Sequence, residues 1–491
     1  MLTILIILVI IVAYYFLKLN YQYWEKRGIP GPKANFLVGN MGRSFILKAS
    51  PGEIFAEAYH KYNESEIVGM YRATTPVLVV RDPDLVKEVT IKSFDHFSEN
   101  DYEVDKRHDP IFARNPFVLK GEEWRTVRAQ LTPGFTSGKM KWLYPYLEKI
   151  SENLVKFIET RKNLDSDVKE ICRRFTLNNV ATCAFGLEGK CLEQENSEFR
   201  QLAKDFFTPP SSFFLMTVSP TLSKALAAGF IKKTIVNKFV DMVTQTLKYR
   251  EENNIVRNDY LHVVSQLKKN SNKYKFTDID VTAHAAGFFG EGYETSSILM
   301  SFVLFEIASN PDVQTKLREE INKAFEENGK LPYEELQAMP YLDGVVNETL
   351  RIHPPMFSLQ KICTKNFTYT PKNGTKPVTI EAGTPIILPV YGLHHDPKYY
   401  QDPETFKPER FIGENKEKLT KYTFLPFGEG PRICLGKRFG VLQIKVGVSY
   451  IIRNFEVSVN KKTILPIKYD PINIMTAPVG GLWIDFKKIA A

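Results

Sequence analysis

The side chain with the most chemistry to offer is Cys434. It lies near the end of a glycine-rich stretch, Pro426-Phe427-Gly428-Glu429-Gly430-Pro431-Arg432-Ile433-Cys434-Leu435-Gly436. Beyond Gly436, the apolar residues Phe439, Leu442, Val446 and Tyr450 recur at three- and four-residue spacing, which predicts a helix. A cysteine at such a junction faces unpaired backbone N–H groups and the positive end of the helix dipole, and both favour thiolate over thiol. The glycines permit turns closed to other residues and a close approach to something flat. Arg432 can neutralise an anionic group on that ligand. The bland alternative for a lone cysteine is a buried turn residue.

Three further sets of residues stand out. Trp124 and Arg128 share one face of a helix that starts at Gly121, and by themselves read as a packing and a surface residue. Glu291, Gly292, Glu294 and Thr295 fall in a long helical run that Thr277-Asp278-Ile279-Asp280 opens as a capping box and Asn310-Pro311 closes. A bare Glu-Thr pair there is most simply a surface or cap pair. Glu348 and Arg351 can pair on one helix face. His353, His394 and His395 lack metal-site spacing and read as structural or exposed.

Phe427, Gly430, Arg432, Cys434 and Gly436 fill every fixed position of Phe-x-x-Gly-x-Arg-x-Cys-x-Gly, which resembles the haem-binding signature of the cytochrome P-450 family. The resemblance runs the length of the chain. Glu348 and Arg351 match its Glu-x-x-Arg motif, and Arg410 the arginine of its Phe-x-x-Pro-Glu-Arg segment. Gly292, Glu294 and Thr295 match Ala-Gly-x-Asp/Glu-Thr, and Trp124 and Arg128 match a propionate-binding pair. The wording is most similar to insect microsomal members of the branch that handles foreign compounds.

The resemblance implies a mainly α fold with small β-sheets, a single large haem-thiolate domain over residues 34–491 behind a membrane anchor. It implies haem b, with Cys434 as axial thiolate and metal ligand. Trp124, Arg128, Arg432 and Lys361 would hold the propionates, with Phe427, Gly430 and Gly436 shaping the loop. Thr295 would assist oxygen activation, with Gly292 beside it and Glu294 bringing protons. Glu348, Arg351 and Arg410 would form a buried charge network under the loop. Position 291 departs from the family, which usually has a small residue there. Its carboxylate could enter the distal pocket. In the branch that oxidises fatty-acid chain ends, a glutamate here can become esterified to haem. Glu291 is thus ester-linked, or a desolvated carboxylate tuning access and protonation, or turned away towards a basic partner.

The reaction implied inserts one atom of O2 into a lipophilic small molecule, such as an insect hormone, plant toxin or insecticide. No Gly-x-Gly-x-x-Gly or P-loop is present, so NADPH-derived electrons must come through a partner, NADPH–cytochrome reductase. It would dock near Lys437, Arg438 and Lys445, and cytochrome b5 is a further implied partner. Two alternatives stay open: a haem-thiolate isomerase or dehydratase needing no reductase, and a non-catalytic haem sensor or carrier.

These residues need a scaffold. Residues 68–72 and 76–81 read as a hairpin turning at Ala73–Thr75, and Pro83–Ile91 as a helix. Residues 92–120 read as a loop over a pocket. Helices follow at 147–161, 164–185, 196–207 and 235–253. The proline-broken, apolar segment 206–226 is a membrane contact, a pocket lid or a buried loop. Gly287, Gly290 and Gly292 each cost the long helix about 1 kcal/mol, which a cofactor's close approach or a local bulge would explain. Residues 378–380 and 384–389 read as strands around a turn at Glu381–Gly383.

The 491 residues are 43% hydrophobic, enough for a large core. The net charge of +9 fits a surface meeting anionic lipid or an acidic partner, and does not suggest nucleic acid. Five scattered cysteines argue for a reducing compartment. Residues 1–19 read as a transmembrane signal anchor, whose apolar run Leu2–Leu17 is about 24 Å long against a hydrocarbon core of ~30 Å. Tyr14, Tyr15, Tyr21, Tyr23 and Trp24 read as an interface belt, and residues 20–33 as a proline-rich hinge. Basic residues only after the apolar run place the body on the cytoplasmic face of the endoplasmic reticulum.

Overall fold

The helix that Thr277 opens is the axis of the molecule. A computed structural model describes residues 2–160, 167–208, 229–270, 276–372, 376–473 and 475–489. The main helices in chain order are α1 (Leu2–Asn20), α2 (Pro51–Lys61), α3 (Gly121–Leu131), α4 (Ser137–Thr160), α5 (Val168–Val180) and α6 (Glu198–Phe206). They continue with α7 (Lys233–Glu252), α8 (Tyr260–Asn270), α9 (Asp278–Ser309), α10 (Pro311–Asn328), α11 (Pro340–Ile352) and α12 (Lys437–Asn454).

Thr277 and Asp280 close the capping box in both directions, with the Thr277 N–H donating to the Asp280 carboxylate at 2.8 Å. The helix that follows, α9, is buried on nearly every side, so it is a core rod and not a surface helix. It packs against α5, α7, α8, α11 and α12. It runs regularly through its glycines. A Cβ on Gly290 would stand 2.5 Å from the Phe206 ring, one on Gly287 3.0 Å from Asn115, and one on Gly292 3.1 Å from Val180. Neighbouring protein crowds each of these glycines, and no bulge interrupts the helix at them.

Strands β1 (Ile67–Arg72), β2 (Thr75–Val80), β3 (Glu99–Asn100), β4 (Leu359–Ile362) and β7 (Pro385–Leu388) form one sheet in the order β1-β2-β7-β4-β3. The β1–β2 hairpin turns at Ala73, and β2 pairs with β7 in parallel. Strands β5 (Phe367–Tyr369) and β6 (Val378–Ile380) form a second sheet, and β8 (Phe455–Val459) and β9 (Ile484–Lys488) a third. The turn at Glu381–Gly383 therefore carries the chain between sheets. The strands it joins are not partners.

Other boundaries differ from expectation. Helix α4 begins at Ser137 and passes through Pro145. Burial of Leu143, Tyr144 and Leu147 on one face outweighs the lost hydrogen bond. Trp24 is 3% exposed, and its indole N–H donates to the Met70 carbonyl at 2.9 Å. Tyr21 meets Tyr71 edge-on, and the Gly69 N–H donates to the Pro30 carbonyl. Residues 20–33 thus lie docked on β1, and Trp24 belongs to the core and not to a lipid interface. Among the described residues no helix is long and apolar enough to cross a membrane. Most of the segment 206–226 lies outside the described residues. At its start Phe206 packs on Phe230, Phe239 and Phe289.

Candidate active site

Cys434 sits just before the head of α12, with Gly436 as the N-cap. Its N–H donates to the Phe427 carbonyl at 2.9 Å, which closes the loop on itself. Gly430, at φ +73°, is pressed against the Thr90 carbonyl, where a Cβ would stand at 1.9 Å. Cys434 is accessible, yet enough of the protein surrounds its sulfur for burial to be the main influence on the thiol. Burial and then the Glu291 charge push its thiol up to about 11. The backbone N–H groups of Gly436 and Lys437 and the Arg128 charge pull the other way. The helix-head effect expected from the sequence is present but outweighed, so it is a metal that would drive the proton off.

Three cations gather on one side of this cysteine. Arg128 donates to the Ile433 carbonyl at 2.7 Å. Lys361 lies opposite Asn100 in the β3–β4 register and donates to its side-chain oxygen at 2.8 Å. Arg432 donates to the carbonyls of Ser98, Pro116 (3.0 Å) and Leu119 (2.7 Å), and its guanidinium lies 4.2 Å from the centre of the Trp124 ring. All these acceptors are neutral, and among the described residues none of the three cations has an ion pair. Burial and the neighbouring Arg432 bring Lys361 down to about 7. Burial, against the pull of Glu99, brings Arg432 to about 10. Buried, mutually repelling cations beside an accessible sulfur fit a ligand with a metal and carboxylates, as haem has. Arg432 does more than the sequence suggested, because it also ties the cysteine loop to residues 92–120.

The middle of α9 comes within electrostatic reach of Cys434 through Glu291. The Thr295 hydroxyl donates to the Glu291 carbonyl at 2.7 Å, one turn earlier. The carbonyl of Gly292 accepts from Gln443 Nε2 at 2.9 Å, and that amide also reaches the Ser296 hydroxyl at 2.8 Å. Gln443 is on α12, so the helix headed by Cys434 also fixes the turn bearing Thr295. Glu294 points away to α5, within 3.0 Å of Lys169 and gripped by Arg173. Burial alone would raise its pKa, but these two charges hold it below the usual value. Glu291 accepts from Asn115 Nδ2 at 2.7 Å. Burial pushes Glu291 up to about 6, partly offset by that bond.

Beneath the loop, Glu348 accepts from Arg351 twice (2.9 Å each), from Arg410 Nε (3.1 Å) and from the Lys407 N–H (3.0 Å). Arg351 donates to the His394 carbonyl at 2.9 Å, and His394 Nε2 accepts the Leu425 N–H at 2.9 Å. The network therefore reaches the start of the cysteine loop. His353 bridges Glu306 (2.7 Å) and Tyr469 (2.8 Å), and His395 meets the Tyr391 carbonyl at 3.0 Å, so all three histidines are structural.

Lys437 and Arg438 are exposed, but Lys445 is 1% exposed at the side chain and pairs with Asp343 at 2.8 Å. It is removed from the docking surface expected of it, because its place on α12 turns it against α11. Asn115, Lys169, Arg173 and Gln443 escaped the sequence reading. The signals were weak: an asparagine before Pro116, a basic pair four apart, and one amide on an apolar helix face.

The chain matches the Cytochrome P450 family model over residues 29–484. It is 34% identical to Cytochrome P450 9e2 of Blattella germanica, with 98% of this chain and 96% of that one covered. It is 36% identical to Probable cytochrome P450 6a13 of Drosophila melanogaster, with 98% of each covered. With Probable cytochrome P450 28a5 of Drosophila melanogaster the identity is 33%, over 99% of each.

Proposed function

The chain belongs to the cytochrome P450 family and is a monooxygenase, and from that premise we propose that it oxidises lipophilic small molecules with electrons drawn from NADPH through a separate reductase. The observation that carries this reading is the accessible sulfur of Cys434 beside unneutralised cations and within electrostatic reach of the turn of α9 that bears Glu291 and Thr295. Cys434 would hold haem b through its thiolate, and Arg128, Arg432, Lys361 and the Trp124 edge would hold its carboxylates. When bound, the haem supplies activation of O2, and thiolate ligation favours O–O cleavage.

The chain's own residues do the rest. Thr295 offers a hydroxyl on the pocket side of α9, beside Gly292. Glu294 keeps its charge between Lys169 and Arg173, and proton delivery through it requires one of those pairs to open. Glu291 acts as a desolvated carboxylate and not as an ester, a choice favoured by its hydrogen bond from Asn115. Haem that separates freely from acid-denatured protein would agree with this, and haem that stays attached would contradict it. Glu348, Arg351 and Arg410 hold the cysteine loop and take no part in the chemistry. The apolar N-terminal segment would anchor the enzyme at the endoplasmic reticulum, facing the cytoplasm. Reductase and cytochrome b5 would approach the exposed Lys437 and Arg438. Insect hormones, plant toxins and insecticides are the substrate classes to try first.

The test is incubation with NADPH–cytochrome reductase, NADPH and a lipophilic panel, with the reduced carbon monoxide spectrum taken in parallel. Substrate-dependent NADPH use with an oxygenated product supports the reading. Loss of the thiolate-type absorption in Cys434→Ser ties it to this sulfur. Retained haem with no turnover points instead to an isomerase or a carrier.

A further inference from the structure

Among the described residues Glu291 is a carboxylate without a cation. Its neighbours Phe289, Gly290, Tyr293 and Glu294 are buried, yet its own side chain is exposed in the middle of a core helix. Burial nevertheless raises its pKa to about 6, so the exposure is to an interior space, on the turn that carries Thr295 and within electrostatic reach of Cys434. Among the described residues its one hydrogen-bond partner, Asn115, is neutral. Asn115 is itself buried and takes the Phe117 N–H on its oxygen at 2.7 Å, which leaves its amide nitrogen to donate to Glu291 Oε1 at 2.7 Å. Among the described residues Oε2 has no partner. The contrast with Glu294, three residues on, is plain, for that carboxylate has two cations. Arg128, Arg432 and Lys361 are bonded elsewhere.

A desolvated carboxylate with one free oxygen, aimed into a space entered by lipophilic guests, is completed by a positive charge on the guest. We propose that Glu291, held by Asn115, is a specificity-determining residue that selects lipophilic substrates carrying a positively charged nitrogen. The inference rests on the haem-thiolate reading, since that reading makes the space beside Thr295 the substrate pocket.

The probes are a matched pair: a phenylalkyl trimethylammonium ion and its neutral tert-butyl isostere. The quaternary nitrogen has no lone pair, so it cannot bind iron and mimic recognition. Affinities are measured by calorimetry on full-length, haem-loaded protein near neutral pH. Wild type is expected to bind the cation about tenfold more tightly than the isostere. Glu291→Gln should abolish that preference while leaving the isostere within about twofold, and Glu291→Asp should keep part of it. Equal ratios in wild type and Glu291→Gln, or a wild-type preference for the isostere, overturn the proposal. So does haem that cannot be extracted from wild type but separates from Glu291→Gln, because an esterified carboxylate has no charge. If Glu291→Gln does not fold, the wild-type ratio decides alone. The reduced carbon monoxide spectrum of the same preparations separates the two failures. Thiolate absorption without a cation preference sinks only this inference, and its absence sinks the haem-thiolate reading.

Discussion

Arg173 grips Glu294 through two parallel hydrogen bonds, Nε to Oε2 at 3.0 Å and Nη2 to Oε1 at 2.8 Å. With Lys169 on the other side, the carboxylate is buried against two charges from α5. Glu294→Gln leaves both cations without their anion and should cost about 2–3 kcal/mol, less than a fully buried pair because Arg173 is part exposed. The folded pKa of Glu294 lies below its unfolded value, so its contribution is complete above about pH 5 and fades as the pH falls through the folded pKa. The gap in thermal midpoint between wild type and Glu294→Gln should be constant from neutral pH to there, and close in more acid buffer. A gap that widens in acid would contradict the assigned pairing.

Thr295→Ala tests the other side of the same turn. Among the described residues the hydroxyl bonds only a carbonyl of its own helix, so its loss should leave α9 and haem loading unchanged. Product formed per NADPH should fall at least about tenfold, the scale at which positioned acid–base groups act. Thr295→Ser should restore most of it. Unchanged coupling in Thr295→Ala would remove this residue from the chemistry.

Local signals carried much of the fold. The Thr277 cap, the Pro311 stop and the 73–75 turn each depend on a few adjacent residues, and α9 and the β1–β2 hairpin appear where those signals lie. Glu348 and Arg351 were legible because a helix brings positions three apart together. What the sequence hid was partner choice across long separations. Nothing near Glu294 announces Lys169 and Arg173, and nothing near Glu291 announces Asn115. Residues 378–380 and 385–388 carry the same strand pattern, but different neighbours place them in different sheets. The expected start at residue 147 was late because propensity is read locally, whereas the buried face of α4, which runs from Ser137 through Pro145, is decided by packing.

Glu348 concentrates four donors on one buried carboxylate, and its removal should be felt at the cysteine loop. Glu348→Gln strands a fully buried Arg351 and should cost about 3–5 kcal/mol. The expected outcome is a large loss of protein showing the thiolate carbon monoxide absorption, in step with a loss of folded protein. Glu348→Leu combined with Arg351→Met should recover some stability, since it removes both charges together. A stable, fully haem-loaded Glu348→Gln would show that the network does not support the loop.

Lys445 and the pair Lys437 and Arg438 lie on one helix yet should behave oppositely. Lys437 and Arg438 are exposed at the head of α12, so replacing them with alanine should raise the KM for reductase and flatten its dependence on ionic strength, with the thermal midpoint unchanged. Lys445 is buried, and Asp343 is its ion-pair partner. Burial, against the pull of that partner, lowers its pKa. Lys445→Ala should therefore lower the thermal midpoint and leave the reductase KM and its salt dependence unchanged. Lys445→Met, which keeps the length of the side chain without its charge, should lose less stability than Lys445→Ala if packing of the stem matters. The two readouts separate surface from core: a reductase effect confined to Lys445, with none at Lys437 or Arg438, would place the electron donor on a different face.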